Sequence, residues 1–166
     1  EASAAVKQSF LEVTGKYATE NDIKETQLDI TYAKNMRLTP EKIRDMDTDV
    51  EKFPEIFRTY NAKLRQMQMI DYDDQMIYAL RILEQYPEVL AHFREQYRYF
   101  CVDEAQDTSK IQHDMIDLLA AQSRNLFMVG DEDQSIYGFR AAYPQKSNLI
   151  IVDRIADTGD GLTMSR

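Results

Sequence analysis

The residue types able to do chemistry gather at the ends of two short apolar runs. Tyr99-Phe100-Cys101-Val102 stops abruptly at Asp103-Glu104-Ala105-Gln106-Asp107-Thr108, and Leu126 to Val129 stops at Gly130-Asp131-Glu132-Asp133-Gln134. Buried strands that deliver polar groups to a site at their carboxyl ends have this pattern. Asp103 and Glu104 are adjacent, so their carboxylates leave one strand tip in different directions. One can hold magnesium and the other can orient or deprotonate a water, because nucleotide-bound magnesium takes few protein carboxylates and keeps several waters, although a hydrophobic-Asp-Glu string alone is more often a strand end with exposed acids. Gly130 permits a tight turn or a close backbone approach. Gln134 offers an amide that hydrogen-bonds a terminal phosphate or a water without ionising. Tyr137-Gly138-Phe139-Arg140 sets two rings beside a guanidinium, which suits stacking on unpaired bases and contact with phosphate, and equally suits a packed aromatic pair with a surface arginine. No Gly-rich loop ending in Lys-Ser or Lys-Thr occurs to cradle phosphates, so the sequence reads as half of a nucleotide site.

The elements that must position these groups divide into a helical stretch and a strand-bearing stretch. Phe53, Ile56, Phe57, Tyr60, Leu64 and Met67 recur at intervals that place them on one helical face. Thr39-Pro40 reads as a helix cap with proline at the first helical position, starting a short helix through Ile43. Asp71 and Asp74 have the spacing of an N-cap and a third-position carboxylate, ahead of an apolar face of Met76, Ile77, Leu80 and Leu83. Pro87 marks the next boundary. After Arg98, strands over Tyr99–Val102 and Leu126–Val129 flank a helix around Ile111, Met115, Leu118 and Leu119, which predicts a parallel βαβ unit. Leu149–Val152 suits a third strand, and Thr158-Gly159-Asp160-Gly161 a turn before Leu162–Met164.

With 166 residues and 43% hydrophobic composition the chain can bury a core, and 30% charged residues with no membrane-length apolar run predict a soluble, cytoplasmic protein without a membrane partner. The single cysteine, Cys101, lies in an apolar run and is expected as a small buried side chain. Zinc is unsupported, with only His92 and His113 as further soft ligands, and both histidines are expected in surface or half-buried structural roles. A net charge of −9 argues against a generic electrostatic nucleic-acid binder, so any DNA contact must be local. Asp45-Met46-Asp47-Thr48-Asp49 and Asp71-Tyr72-Asp73-Asp74 are expected as solvated faces or helix starts.

Taken together, Val102–Thr108, Gln112 and Gly130–Arg140 resemble motifs II and III of the UvrD/Rep/PcrA family of superfamily-1 DNA helicases. Ile70-Asp71-Tyr72-Asp73-Asp74 and Tyr86-Pro87-Glu88-Val89-Leu90 are similar to the region just upstream of motif II in that family. The resemblance runs from about residue 53 to 145, and more loosely to the start. It implies that Asp103 binds Mg2+ together with ATP, that Glu104 activates the hydrolytic water and that Gln134 senses the terminal phosphate. It further implies that Tyr137 and Phe139 lie along a single-stranded DNA track and that Arg140 links that track to the nucleotide. Phe139 stands where many members carry tryptophan, and Ala141 where glycine is expected. The phosphate-binding loop and the arginine-bearing motifs of a second motor domain are absent, and Arg166 is not assigned a role.

The expected fold is therefore α/β, a helical accessory subdomain over residues 1–95 plus an incomplete RecA-like parallel βαβ motor domain over residues 96–166. The expected function is part of an ATP-dependent helicase acting on single-stranded and duplex DNA, inactive in isolation. One alternative is a noncatalytic helicase-like module whose acidic helical region meets protein partners. A more distant one is a magnesium-dependent phosphoesterase using Asp103, Glu104, Asp131 and Asp133, in which Gln134 and the Tyr-Gly-Phe-Arg run have no role.

Overall fold

A computed structural model describes residues 2–130 and the backbone of residues 152 and 153. In chain order these form α1 (Ala2–Thr14), α2 (Glu20–Asn35), α3 (Pro40–Arg44), α4 (Phe53–Gln66), α5 (Tyr72–Gln85), α6 (Pro87–Gln96), β1 (Phe100–Val102), a 3₁₀ turn (Ala105–Asp107), α7 (Lys110–Ala120), β2 (Leu126–Met128) and β3 (Val152–Asp153). The chain divides into two compact units, Glu1–Ala79 and Leu80–Arg166. No described helix is long and apolar enough to cross a membrane.

The first unit is helical because α2 to α5 each have a start signal and α1 to α4 bring apolar residues to one core. Thr19 and Asp22 exchange bonds in a capping box at α2, with Asp22 N–H donating to Thr19 Oγ1 at 3.2 Å and Thr19 N–H to Asp22 Oδ2 at 2.8 Å. Thr39 caps α3 with Pro40 at its first turn, as the sequence indicates. On α4, Phe53, Ile56, Tyr60 and Leu64 are buried against Val6 and Phe10 of α1 and Ile30 of α2. Each such burial contributes about 1.5–3 kcal/mol. Met67 departs from the expected face: α4 ends at Gln66, Gln68 turns left-handed at φ 55°, and Met67 is 45% exposed.

This core also holds a polar cluster. Asp71 and Asp74 reciprocate as expected at the start of α5, with Asp74 N–H donating to Asp71 Oδ1 at 2.8 Å. The acidic run is not a solvated face, however. Lys34, its side chain only 3% exposed, donates to Asp71 Oδ2 at 2.6 Å and to Asp74 Oδ1 at 2.8 Å. Tyr60 donates its hydroxyl to Asp71 at 2.7 Å, and its ring lies 5.3 Å from Lys34 Nζ. Thr31 and Asn35 donate to Asp73 at 2.9 and 2.7 Å. Three acids within four residues can be half-buried here because α2 supplies three donors, Thr31, Lys34 and Asn35, one helical turn apart, and one of them carries a charge. By contrast, Asp45, Asp47 and Asp49 are exposed, as expected of the other acidic run.

The second unit contains the predicted parallel βαβ. β1 pairs with β2 in parallel, Phe100 with Leu126, Cys101 with Phe127 and Val102 with Met128, and α7 lies between them in sequence. Arg94 on α6 donates from Nε and Nη2 to the Leu118 carbonyl, at 3.2 and 2.5 Å, tying α6 to the last turn of α7. β3 adds an antiparallel pair, Leu126 with Asp153 and Phe127 with Val152. The rest of the third-strand expectation, residues 149–151, and residues 158–164 lie outside the described residues.

Cys101 is exposed, against expectation. The pleat puts Tyr99, Cys101, Phe127 and Val129 on one face of the sheet, and all four are exposed, while Phe100, Val102, Leu126 and Met128 on the other are half-buried. Strands of parallel sheets are apolar on both faces because both are normally covered, so an apolar run does not tell which face the described residues cover.

Candidate functional site

The two strand tips meet through backbone bonds that outlast the strands. Val129 N–H donates to Val102 O and Ala105 N–H to Val129 O, each at 2.8 Å, so the ladder carries past β1 and β2 to the residues singled out by the sequence. Between these bonds the chain turns at Glu104, which adopts a left-handed conformation, φ 51° and ψ 44°. A residue with a Cβ rarely sits there, and the conformation costs about 1–2 kcal/mol. Arg37, Lys52, Gln68 and Arg124 share the conformation, so strain alone marks no function; at Glu104 it falls on the acid to which the family resemblance assigns the water.

Asp103 and Glu104 are both exposed, so the tip presents two carboxylates outward. Asp103 Oδ1 accepts from the Glu104 N–H at 2.9 Å, which fixes the aspartate without using its second oxygen. Gln106, only 6% exposed, donates from Nε2 to Glu104 Oε2 at 2.5 Å. The glutamate is thereby held in one rotamer by a buried amide, with its other oxygen directed away from that bond. An exposed aspartate with one spare oxygen suits a magnesium ion that keeps most of its waters, so the residues present fit that group. Among the described residues no cluster of three or more metal-ligating side chains occurs, and a magnesium ion carried by a nucleotide does not require one.

Gly130 completes the tip. A Cβ built there would lie 2.7 Å from Gln106 Oε1 and 3.2 Å from both Ala105 Cβ and Gln106 N. The glycine thus lets the second strand end close against the turn that holds Glu104. Gly130→Ala should push Gln106 off Glu104 and cost about 1–3 kcal/mol of stability; thermal unfolding checks this, and an unchanged midpoint would show that the turn yields freely.

Around the tip, the start of α7 is fixed independently of any ligand. Ser109 and Gln112 form a capping box, Ser109 N–H donating to Gln112 Oε1 at 2.8 Å. Thr108 Oγ1 bonds the Ala105 carbonyl and lies 3.1 Å from His113 Nε2. His113 is thus structural as expected, but at 5% exposure it is more deeply buried than a surface or half-buried role implies. His92 is exposed and packs edge-on against Phe93. Sequence reasoning missed Gln106 as a positioning residue. The available signal was an amide two residues beyond a carboxylate at a strand end, but its role depends on the left-handed turn. Asp131, Asp133, Gln134, Tyr137, Phe139 and Arg140 lie outside the described residues.

A helical unit and a parallel strand-helix-strand with an acidic strand tip define a helical plus partial RecA-like α/β class. The chain belongs to the UvrD/REP helicase family: the profile of the UvrD/REP helicase N-terminal domain matches residues 2–152. The ATP-dependent DNA helicase PcrA of Leuconostoc citreum is 39% identical over 115 residues, covering 68% of this chain and 15% of that protein. The proteins of the same name from Staphylococcus aureus strain Mu50 and from Staphylococcus epidermidis are 36% identical over 115 residues, covering 68% of this chain and 16% of each. The chain therefore spans about one sixth of the length of these curated relatives.

Proposed function

We propose that this chain is the part of a cytoplasmic ATP-dependent DNA helicase that carries the accessory helices and the acidic half of the nucleotide site. Residues 1–95 serve as the accessory domain and residues 96–166 as part of the first RecA-like motor domain. The observation that supports this best is the strained Glu104 turn, clamped by Gln106 and set beside an exposed Asp103. When bound with its magnesium, ATP supplies the phosphoanhydride whose hydrolysis powers movement on single-stranded DNA and the opening of duplex DNA. Asp103 would hold that magnesium. Glu104 orients the attacking water and takes its proton, with Gln106 keeping the carboxylate in place. Gln134 contacts the terminal phosphate, Tyr137 and Phe139 stack on unpaired bases, and Arg140 joins the two sites.

The sequence has no phosphate-cradling loop, so little in it would hold a triphosphate. The isolated chain should hydrolyse ATP no faster than its Glu104→Gln variant in a coupled phosphate-release assay with magnesium. Turnover above that control would sink the proposed division of the site. An interaction module without catalysis is the second reading, favoured by the net charge of −9 over a chain with so much helical surface.

A further inference from the structure

Between α3 and α4 lies a cleft of about 350 Å³, lined by none of the residues assigned to the nucleotide site. Its floor is apolar, formed by Pro40 and Ile43 of α3 and by Pro54 and Phe57 of α4. Its rim is basic: Arg44, Arg58 and Arg65 line it against one carboxylate, Glu55. Pro54, Arg58, Asn61 and Arg65 follow one another at helical spacing, on the side of α4 away from the buried stripe of Phe53, Ile56, Tyr60 and Leu64.

Arg44 and Arg65 stand in the last turns of their helices, where a cation is favourable for the helix dipole alone. Arg58 is in mid-helix and has no such role. All three are exposed, and none forms an ion pair among the described residues, although the chain carries 29 acidic side chains against 20 basic ones. Arg65 Nε donates to the Asn61 carbonyl at 3.2 Å, which holds the base of its guanidinium at the cleft. A local basic rim on an acidic protein selects an acidic partner by charge complementarity. The apolar floor narrows the choice, because a phosphate backbone has nothing to place there, whereas a peptide can seat a bulky side chain and present carboxylates to the arginines on either side.

We infer that this cleft docks an acidic segment of a partner protein, anchored by one or two bulky apolar side chains and flanked by Asp or Glu. The acidic chain thus meets its partner through its basic patch, not through its acidic surface.

The probe is a short fluorescein-labelled peptide with a Leu-Phe pair between Asp and Glu residues, titrated with the full chain and read by fluorescence anisotropy. Saturable binding is expected, weakened about tenfold by Arg58→Glu and also weakened by Arg65→Glu, with helical circular dichroism unchanged in both. A peptide with Ser replacing Leu and Phe should bind distinctly more weakly. Three results would overturn the inference: no saturable binding, equal binding of the serine peptide, or a short DNA duplex that binds more tightly than the peptide and depends on the same arginines.

Discussion

Replacing Lys34 with alanine should lower the unfolding free energy of the helical unit by about 3–5 kcal/mol, the usual cost of removing one member of a buried ion pair. Lys34 is 3% exposed and serves Asp71 and Asp74 at once, while its charge faces the Tyr60 ring. Without it, two carboxylates that α5 places in the interior lose their only counter-charge in the cluster. Lys34→Met, which keeps the aliphatic stem, should lose nearly as much, and so assigns the loss to charge.

The pH dependence of that loss has a definite sign. Burial alone would raise the Asp71 carboxyl, but bonds from Lys34, the Asp74 backbone and Tyr60 outweigh it and hold Asp71 below its ordinary value. Its contribution to stability is present above the unfolded-state value and is lost as pH falls through the lower, folded one. Asp73 runs the other way: burial raises it despite Thr31 and Asn35, so its contribution is present in acid and is lost as pH rises through the folded value. Burial and the Asp71 bond together push the Tyr60 phenol far above its ordinary range, so it stays a donor throughout. Removing Lys34 raises both acids. The deficit of Lys34→Ala should therefore be largest at neutral pH and shrink toward the acid side of the ordinary aspartate range. Urea titrations across that range check this, and a deficit independent of pH would mean that the lysine acts by packing alone.

The second large effect concerns turnover. In a chimera in which this chain replaces the matching segment of the Leuconostoc citreum helicase, Glu104→Gln should reduce ATP hydrolysis by about 10²–10⁴-fold, the usual contribution of a general base. The amide still accepts from Gln106, so the turn survives while proton abstraction does not. Binding of a nonhydrolysable nucleotide analogue should be retained, which separates loss of chemistry from loss of the site. If the variant chimera hydrolyses ATP at the parental rate, Glu104 is not the base and the strained turn needs another account.

Much of this architecture can be read from periodicity and punctuation. The α4 stripe, the Thr39-Pro40 start, the Asp71 cap and the parallel βαβ all rest on local spacing, and local spacing decides which face a residue occupies. The residues that were not legible depend on distant or absent partners. Asp71 to Asp74 looked solvated because Lys34, Thr31 and Asn35, which neutralise or bond them, lie some forty positions earlier in the chain. Cys101 looked buried because an apolar strand does not reveal which of its faces is covered. Gln106 looked incidental because its bond to Glu104 exists only once the backbone turns left-handed at Glu104.

That left-handed turn sets two demands on one position. Glycine at 104 would relieve the backbone by about 1 kcal/mol and would also delete the carboxylate. The substitution that most relaxes the backbone of the strand tip is thus the one that removes its proposed base. On the proposed division of the site, a library of the chimera screened only for thermal endurance would drift toward glycine at 104 wherever that relief outweighs the lost Gln106 bond, a trade between durability and activity set by a single φ angle.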